Sequence, residues 1–558
     1  MYTNFYQNNK QKLIDLKKYS LPNSSDTKML RIFEQIDSED LDIYDFSMIF
    51  NDDKTRKLIR EGKTIGCFYI ESPGMRSLLK RLDCDTFEML TAASSVIRPG
   101  VAESGMMQEF IDRHHHPERI SYLVPEMEKY LGETYGVMIY QEDVIKVAHH
   151  IAGVSLEEAD LLRRAMSGKM RSKEALKKIK DNFFSTCMSK GYSKDITQEL
   201  WRQIESFAGY AFCKAHSGSF ALLSFQVAYL KAHYPAEFMA SVLSNRGGYY
   251  SAAVYVQECK RLGLKVLLPS VNDSGYEYSG INDVVQIGLM AIKGLSSNTI
   301  NNIIDEREQN GRYSSLSDFI MRVNIGESET ELLILAGAMD CFPGSRLLHS
   351  RSCKILIKYQ QSLRESNLGL FPNHLIEILD KLPKGNEFSI EQICSFEYDF
   401  FGYLVTQHPL YFYRRYTNRK DIVKAKDLSR FNKKRVKMIG WFMTSKRIKT
   451  KKGEIMKFLS LEDETGTFEA VIFPKVYNQY AEITLSMGPY LVYGKVDVEG
   501  GNNLVVEKMA VLSNHTAQAV LQKDSAEHNY YGDAEHFSED EINLVDSLDA
   551  DKYKSAYL

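Results

Sequence analysis

The sequence predicts a multidomain chain, mainly α, with a region of paired helical hairpins and a small β-barrel after it. Three observations carry that prediction. With 558 residues and 44% hydrophobic content, the chain can bury several cores, since a domain takes roughly 100 to 200 residues. Apolar residues recur at helical spacing from about residue 46 to about residue 345, the signature of a 3.6-residue period. From Lys433 to about residue 512 the period falls to two, in five short runs parted by turn residues.

The elements follow in order. Residues 1–45 are polar and contain the turn formers of "SLPNSSD", a weakly structured lead-in. Residues 46–270 read as mainly helical. In "SLEEADLLRRAMSGK", Ser155 and Glu158 make a capping box, Ala159, Leu162 and Met166 share one face, and Gly168 supplies the stop. A long helix opens at "KAHSGSF", after Gly209, and ends before Pro235. Residues 271–345 contain "GLMAIKGLSSNTINNIIDEREQNGRYSSLSDFI" and "ETELLILAGAMDCF", each an apolar helix with a short Gly-containing turn. Paired helix-hairpin-helix units have this form, and so does an ordinary helical hairpin. Residues 346–432 form a connector. In 433–512 the runs "VKMIGWFMTSKRIKT", "MKFLSLED", "FEAVIF", "YLVYGKVDV" and "NLVVEKMAVL" read as five strands, which suits an OB-fold. Residues 513–558 read as an acidic tail, with ten acids and no Lys or Arg between Asp524 and Asp551.

Charge and composition narrow the function. The formal net charge of -3, from 70 Lys+Arg against 73 Asp+Glu, excludes a uniformly basic nucleic-acid coat and makes local patches decisive. The eight cysteines are scattered singly, with no CxxC pair, and read as reduced thiols of a cytoplasmic protein. No apolar run approaches the roughly 20 residues that a membrane span requires, and the N-terminus lacks a signal-peptide core. No membrane partner is expected.

Three groups of residues point to phosphate chemistry. Arg163 and Arg164 lie about 100° apart on their helix, with Lys169 following, and the planar guanidinium fork matches phosphate oxygens. An Arg pair is also commonly a solvated helix face. Lys214, His216 and Ser217 stand at a helix N-terminus, where the macrodipole favours an anion; His216 serves equally as a cap or core residue. Lys293 and Gly294 sit in the turn of the first hairpin unit, where free amides and a lysine can meet a backbone phosphate. Between Arg430 and Lys457 there are eleven Lys or Arg and one acid, Glu454. Lys446, Arg447, Lys449, Lys451 and Lys452 beside Trp441 and Phe442 combine charge with aromatic platforms, as single-stranded nucleic acid requires. A solvated basic face is the alternative.

The blocks "GCFYIESPGMRSLLKRL", "IRPGVAESGMMQEFIDR", "ETYGVMIYQEDVIKVAHHIAGVSLEEADLLRRAMSGK", "FAGYAFCKAHSGSFALLSFQVAYLKAHYPAEFM" and "IKGL" occur in the order found in bacterial C-family DNA polymerases. The chain resembles the DNA polymerase III alpha subunit and its error-prone relatives from about residue 40 to 512, and "AASSVIRPGVAESGMM" looks closer to the error-prone branch. The resemblance implies a fingers domain at 46–270, in which Arg163 and Arg164 match the arginines that hold the triphosphate of an incoming dNTP. Lys214, His216 and Ser217 match the block lining the same cleft, and Arg98 lies in its "RPG" turn. The helix-hairpin-helix region and the barrel correspond to modules for primer-template duplex and single-stranded template. The family's peptide for docking the sliding clamp is matched by "NLGLF", with Asn367, Leu368, Leu370 and Phe371 as its contacts. The departures are Asn367 in place of Gln, and Gly369.

Nucleotidyl transfer needs carboxylates holding two metal ions, and the family carries them in a palm domain whose blocks are not found in this sequence. The spaced aspartates of "DLDIYDF" (Asp40, Asp42, Asp45) fall in the linker, and His114 to His116 are contiguous, so they point in different directions. No catalytic and no metal residue is therefore assigned, and Mg2+ is expected to be held mainly by a palm outside this chain. The expectation is the C-terminal part of a replicative or repair polymerase, without PHP and palm domains, acting in the bacterial cytoplasm at the nucleoid with a palm-bearing fragment. The alternative is a non-catalytic accessory that binds clamp and DNA.

Overall fold

The computed structural model describes residues 42–97, 105–166, 173–205, 213–246, 248–366, 387–450 and 452–513. The chain divides into two compact units, one built on residues 39–233 and the other on residues 234–498 and 502 onward. The break falls at His233 and Tyr234, so residues 234–270 fold with the hairpin region.

The first unit is helical: α1 (Phe46–Asn51), α2 (Asp53–Arg60), α3 (Pro73–Arg81), α4 (Phe87–Val96), α5 (Met106–His115), α6 (Met127–Leu131), α7 (Gln141–Lys146), α8 (Leu156–Met166), α9 (Lys173–Ser189), α10 (Lys194–Glu205) and α11 (Lys214–His233). Its axis is α11, which packs on α4, α2 and α1. Helix α11 is apolar nearly all round from Ala221 to Leu230, the pattern of a helix enclosed by others. Phe225 meets Phe50 edge-on at 5.2 Å, and Phe50 stacks on Phe87 at 5.0 Å. Lys231 is 1% exposed, and its ammonium is satisfied by the carbonyls of Lys63 and Ile65, both at 2.8 Å. Helix α8 begins as its sequence predicts: the Glu158 amide donates to Ser155 Oγ and the Ser155 amide to Glu158 Oε2.

The second unit opens with α12 (Pro235–Ser244) and α13 (Ala252–Arg261). A small sheet of β1 (Lys265–Leu267), β2 (Ser279–Ile281) and β3 (Val284–Gln286) follows, in the order β1-β3-β2. The hairpin region holds α14 (Ser297–Asn310), α15 (Leu316–Arg322) and α16 (Glu327–Leu335). The connector holds α17 (Arg346–Ser366), α18 (Ile390–Phe401) and α19 (Arg414–Thr417). The five predicted strands are β4 (Arg435–Lys449), β5 (Ile455–Asp463), β6 (Gly466–Ile472), β7 (Tyr490–Asp497) and β8 (Asn503–Val511), closed in the order β4-β5-β6-β8-β7, with α20 (Pro474–Tyr480) between β6 and β7. That order is an OB-fold.

Closure depends on β4. Its residues 435–440 pair with β7 and residues 441–449 with β5. At the change of partner stands Gly440, where a Cβ would lie 2.7 Å from Leu461 Cβ and 2.8 Å from Phe468 Cζ. A bulge between Phe442 and Thr444 adds the bend. Met438, Leu461, Phe468, Val492 and Leu504 fill the interior, while Ile439 and Leu491 face outward onto Leu410, Phe412 and Tyr413 of the connector. Arg261 of α13 donates to the buried carboxylates of Glu258 and, at 2.7 Å, of Glu462 in β5, which ties α13 to the barrel.

Candidate nucleic-acid interface

In the first unit the candidate cations gather around one short helix, α7. Its start is pinned by Asp143, whose buried carboxylate accepts from the amides of Ile139 and Tyr140 at 3.0 and 2.9 Å. Burial pushes that carboxyl up, and the same hydrogen bonds oppose the shift. The first two residues of α7 then reach two other elements. Gln141 Oε1 accepts from Arg163 Nη1 at 3.2 Å. Glu142 accepts the Lys214 amide, the first of α11, at 3.0 and 3.1 Å. One helical turn therefore holds the end of α8 and the start of α11 side by side, and after Lys146 the chain continues as a π-helical turn, Val147–Ile151.

The cations here face carboxylates of the same unit. Asp160 takes Arg163 Nη2 at 2.8 Å and Arg164 Nε at 2.7 Å, and the Arg163 guanidinium holds its carboxyl below the usual range. Lys214 Nζ reaches Glu133 at 2.7 Å and lies 5.5 Å from the centre of the Tyr140 ring. These pairs are open to solvent, with Arg164 60% and Lys214 46% exposed. Exposed pairs are worth about 0 to 1 kcal/mol, so a polyanion that meets both arginines and the lysine can displace the carboxylates at small cost.

His216 is exposed on the first turn of α11, its ring 4.3 Å from that of Phe220. Ser217 departs from its expected place in a cleft: it is 2% exposed, and its hydroxyl is 2.8 Å from that of Ser95 in α4. Helix α4 covers the position of Ser217, while Lys214 at the first position of α11 stays open to solvent, so Ser217 is a brace between helices. Arg98, two residues beyond Val96 at the end of α4, and Lys169 lie outside the described residues. Glu133, Gln141, Glu142 and Asp160 are participants that sequence reasoning missed. Only Asp160 left a signal, its spacing of three and four from the two arginines.

In the hairpin region Gly294 has φ +88°, a left-handed turn suited to glycine. Beside it Lys293 is exposed, and its amide donates to the Phe400 carbonyl at 2.9 Å. Both residues line a cavity of about 500 Å³, which also has Arg246 and Tyr276 in its wall.

The barrel divides its basic residues into two sets. Arg430 pairs with Asp427, Lys433 with Asp497, Arg435 with Glu507 and Lys437 with Asp421. Lys446, Arg447, Lys449 and Lys452, on the β4–β5 hairpin, are exposed, and no ion pair to them is found among the described residues. These four bring exposed positive charge together where the β4–β5 hairpin runs past the closed barrel. Trp441 is not a bare platform as expected: strand alternation turns it outward onto the connector core, where it is part-buried, and Phe442 packs toward the barrel interior. Lys451 and the clamp-peptide residues Asn367, Leu368, Leu370 and Phe371 lie outside the described residues.

The residues in hand give a divalent metal no cage. Asp45 caps α1 by accepting the Met48 amide, and Asp42 accepts the Tyr44 amide. His114 bonds to Tyr135 and Leu82, while His115 bonds to the Arg81 carbonyl. Among the described residues no group of three His, Cys, Asp or Glu side chains could hold a metal, and no helix is long and apolar enough to cross a membrane. All eight cysteines are free thiols.

Two stretches of the chain match known protein families. Residues 25–191 match the family described as the finger domain of the bacterial DNA polymerase III alpha subunit, and residues 263–347 match a helix-hairpin-helix motif. The chain is 34% identical over 458 residues to DNA polymerase III subunit alpha of Bacillus subtilis (strain 168), covering 81% of this chain and 41% of the relative. It is 32% identical over 455 residues to the subunit of Staphylococcus aureus (strain MSSA476), covering 80% and 41%, and 31% identical over 477 residues to that of strain MRSA252, covering 84% and 44%. The chain thus spans about two fifths of the length of these relatives.

Proposed function

This chain corresponds to a stretch of the bacterial DNA polymerase III alpha subunit that carries its finger domain and a helix-hairpin-helix motif, and from that premise we propose that it is the nucleotide- and DNA-gripping part of a DNA-directed DNA polymerase in replication or repair synthesis. Arg163, Arg164, Lys214 and His216 receive the triphosphate of the incoming dNTP, with Arg98 joining them. Lys293 and Gly294 hold the backbone of the primer-template, and Lys446, Arg447, Lys449, Lys451 and Lys452 hold the single-stranded template beside Trp441. The segment Asn367 to Phe371 docks the sliding clamp through Leu368, Leu370 and Phe371. Mg2+ held by a palm outside this chain would supply the chemistry of transfer, since among the described residues no group of three His, Cys, Asp or Glu side chains could hold a metal; this chain's own residues bind, orient and neutralise charge.

The observation that carries the reading is the convergence of Arg163 and Lys214 on the first turn of α7, from helices about fifty residues apart in sequence. Arg163 and Lys214 each also carry a solvent-open ion pair, to Asp160 and Glu133, that an incoming triphosphate can displace. Titration of a fluorescent dNTP with Mg2+ into the full chain tests it. Charge-assisted hydrogen bonds are worth about 1.5 to 3 kcal/mol, so Arg163→Ala and Lys214→Ala should each weaken binding about tenfold or more, while Ser217→Ala leaves it unchanged. Unaltered affinity in both cation variants would remove the reading. Primer extension distinguishes the accessory alternative: synthesis on mixing with a palm-bearing fragment supports a polymerase part, and its absence with every such fragment supports a clamp- and DNA-binding accessory.

A further inference from the structure

We infer that the acidic segment Asp524–Asp551 of this chain docks on the cationic β4–β5 hairpin and competes there with nucleic acid; the inference rests on the reading of that hairpin as a strand-binding site. The hairpin concentrates exposed cations: Arg430, Lys433, Arg435 and Lys437 are each paired with a carboxylate, whereas no ion pair to Lys446, Arg447, Lys449 or Lys452 is found among the described residues. The same hairpin exposes Ile448 and Ile455, at 36% and 39%, among those charges. An occupant must therefore bring negative charge spaced with apolar side chains. The segment from Asp524 to Asp551 carries ten acids and no Lys or Arg, with Tyr530, Tyr531, Phe537, Ile542 and Leu544 between them. Acids with interleaved aromatic rings offer such a face the two features that phosphates and bases offer it.

The strand register makes the contact reachable within one chain. Val511 pairs with Tyr490, and Tyr490 pairs with Gly440, so the chain leaves the barrel level with Gly440. Lys449 lies nine residues further along β4, about 30 Å at 3.3 Å per residue. The ten residues 514–523 span up to about 35 Å when extended, which brings Asp524 and every acid after it within range. Tethering at this length places the segment at an effective concentration in the millimolar range, enough for a weak electrostatic contact to be populated. Such a contact yields to a long single strand, which engages the hairpin together with neighbouring sites.

Zero-length carbodiimide crosslinking of the full chain, with peptides identified by mass spectrometry, tests docking without reference to nucleic acid. At about 50 mM salt, carboxylates of 524–551 should link to Lys446, Lys449 or Lys452 within one chain, and the links should fade at about 0.5 M salt as screening shortens the reach of the charges. Links to other lysines only, no links, or links solely between isotope-labelled and unlabelled chains overturn the inference. In parallel, a full-length variant with the ten acids replaced by Asn or Gln should bind an oligo(dT) probe about tenfold more tightly at low salt, with the advantage lost at high salt. Equal affinities overturn competition while leaving the hairpin's role intact. If neither protein binds the probe, the strand-binding reading itself fails and the crosslinks still decide docking.

Discussion

At the scale of the single residue, His408 shows how burial writes a pH response into this fold. It is 7% exposed, and its Nδ1 accepts the Leu410 amide at 3.1 Å, which requires the neutral ring. Burial, and then the charges of Arg261, Lys260 and Lys424, push its pKa down to about 3, whereas in an unfolded chain it titrates near 6.5. Between those values the unfolded state binds the extra proton. The contribution of His408 is therefore intact above about pH 6.5 and declines as the pH drops toward 3, by about 1.4 kcal/mol per unit. From pH 7 to pH 5 the urea midpoint of the second unit should fall, and in His408→Asn it should fall less, by the equivalent of about 2 kcal/mol. Matching pH profiles for the two proteins would show that His408 is not the titrating group. A lone histidine in "TQHPLYF" announces none of this, because its neighbours come from α13 and from residues before β4. The capping pair Ser155 and Glu158 is the opposite case, a contact wholly contained in four consecutive residues and therefore legible at once.

At the scale of the element, β4 does two tasks that its alternation alone does not reveal. The two-residue period correctly predicts a strand, and the basic run at its end correctly predicts a charged face. The change of partner at Gly440 is a property of closure: a side chain there would occupy the space of Leu461 and Phe468. Gly440→Ala should cost about 1 to 3 kcal/mol through overpacking, read as a lower thermal midpoint by circular dichroism. No loss would mean that the barrel relaxes around an added methyl group. Helix α11 offers a parallel lesson. The sequence places Lys214, His216 and Ser217 together at a helix start, yet α4 covers Ser217 through Ser95 and leaves Lys214 outside. Proximity along the chain is not proximity in a site, since residues three apart on a helix share a side only if the neighbouring helix leaves that side open.

At the scale of the whole molecule, a net charge of -3 conceals a cationic surface whose strength depends on which cations remain unpaired. Each phosphate neutralised on a single strand contributes about 0.7 to the slope of log affinity against log salt. Replacing Lys446, Arg447, Lys449 and Lys452 together by Gln should lower that slope by about 3, whereas the same change at Lys433, Arg435 and Lys437 should alter it by less than about 1. Fluorescence anisotropy with oligo(dT) across a salt series measures both, and equal effects from the two sets would show that the ion pairs do not sort the charges. The sequence by itself determined the main helical segments, the Ser155–Glu158 cap, the barrel of five strands and the inventory of cations, because each is encoded in local periodicity and residue type; it did not announce the small sheet of β1, β2 and β3, whose strands are three residues each. It could not determine which cations are spent on carboxylates, that Ser217 packs against α4 and Trp441 against the connector, or that Arg163 and Lys214 meet at Gln141 and Glu142. Those outcomes depend on contacts between segments tens of residues apart, and only the tertiary packing of α7, α8 and α11 and the closure of β4 on two partners bring such segments together.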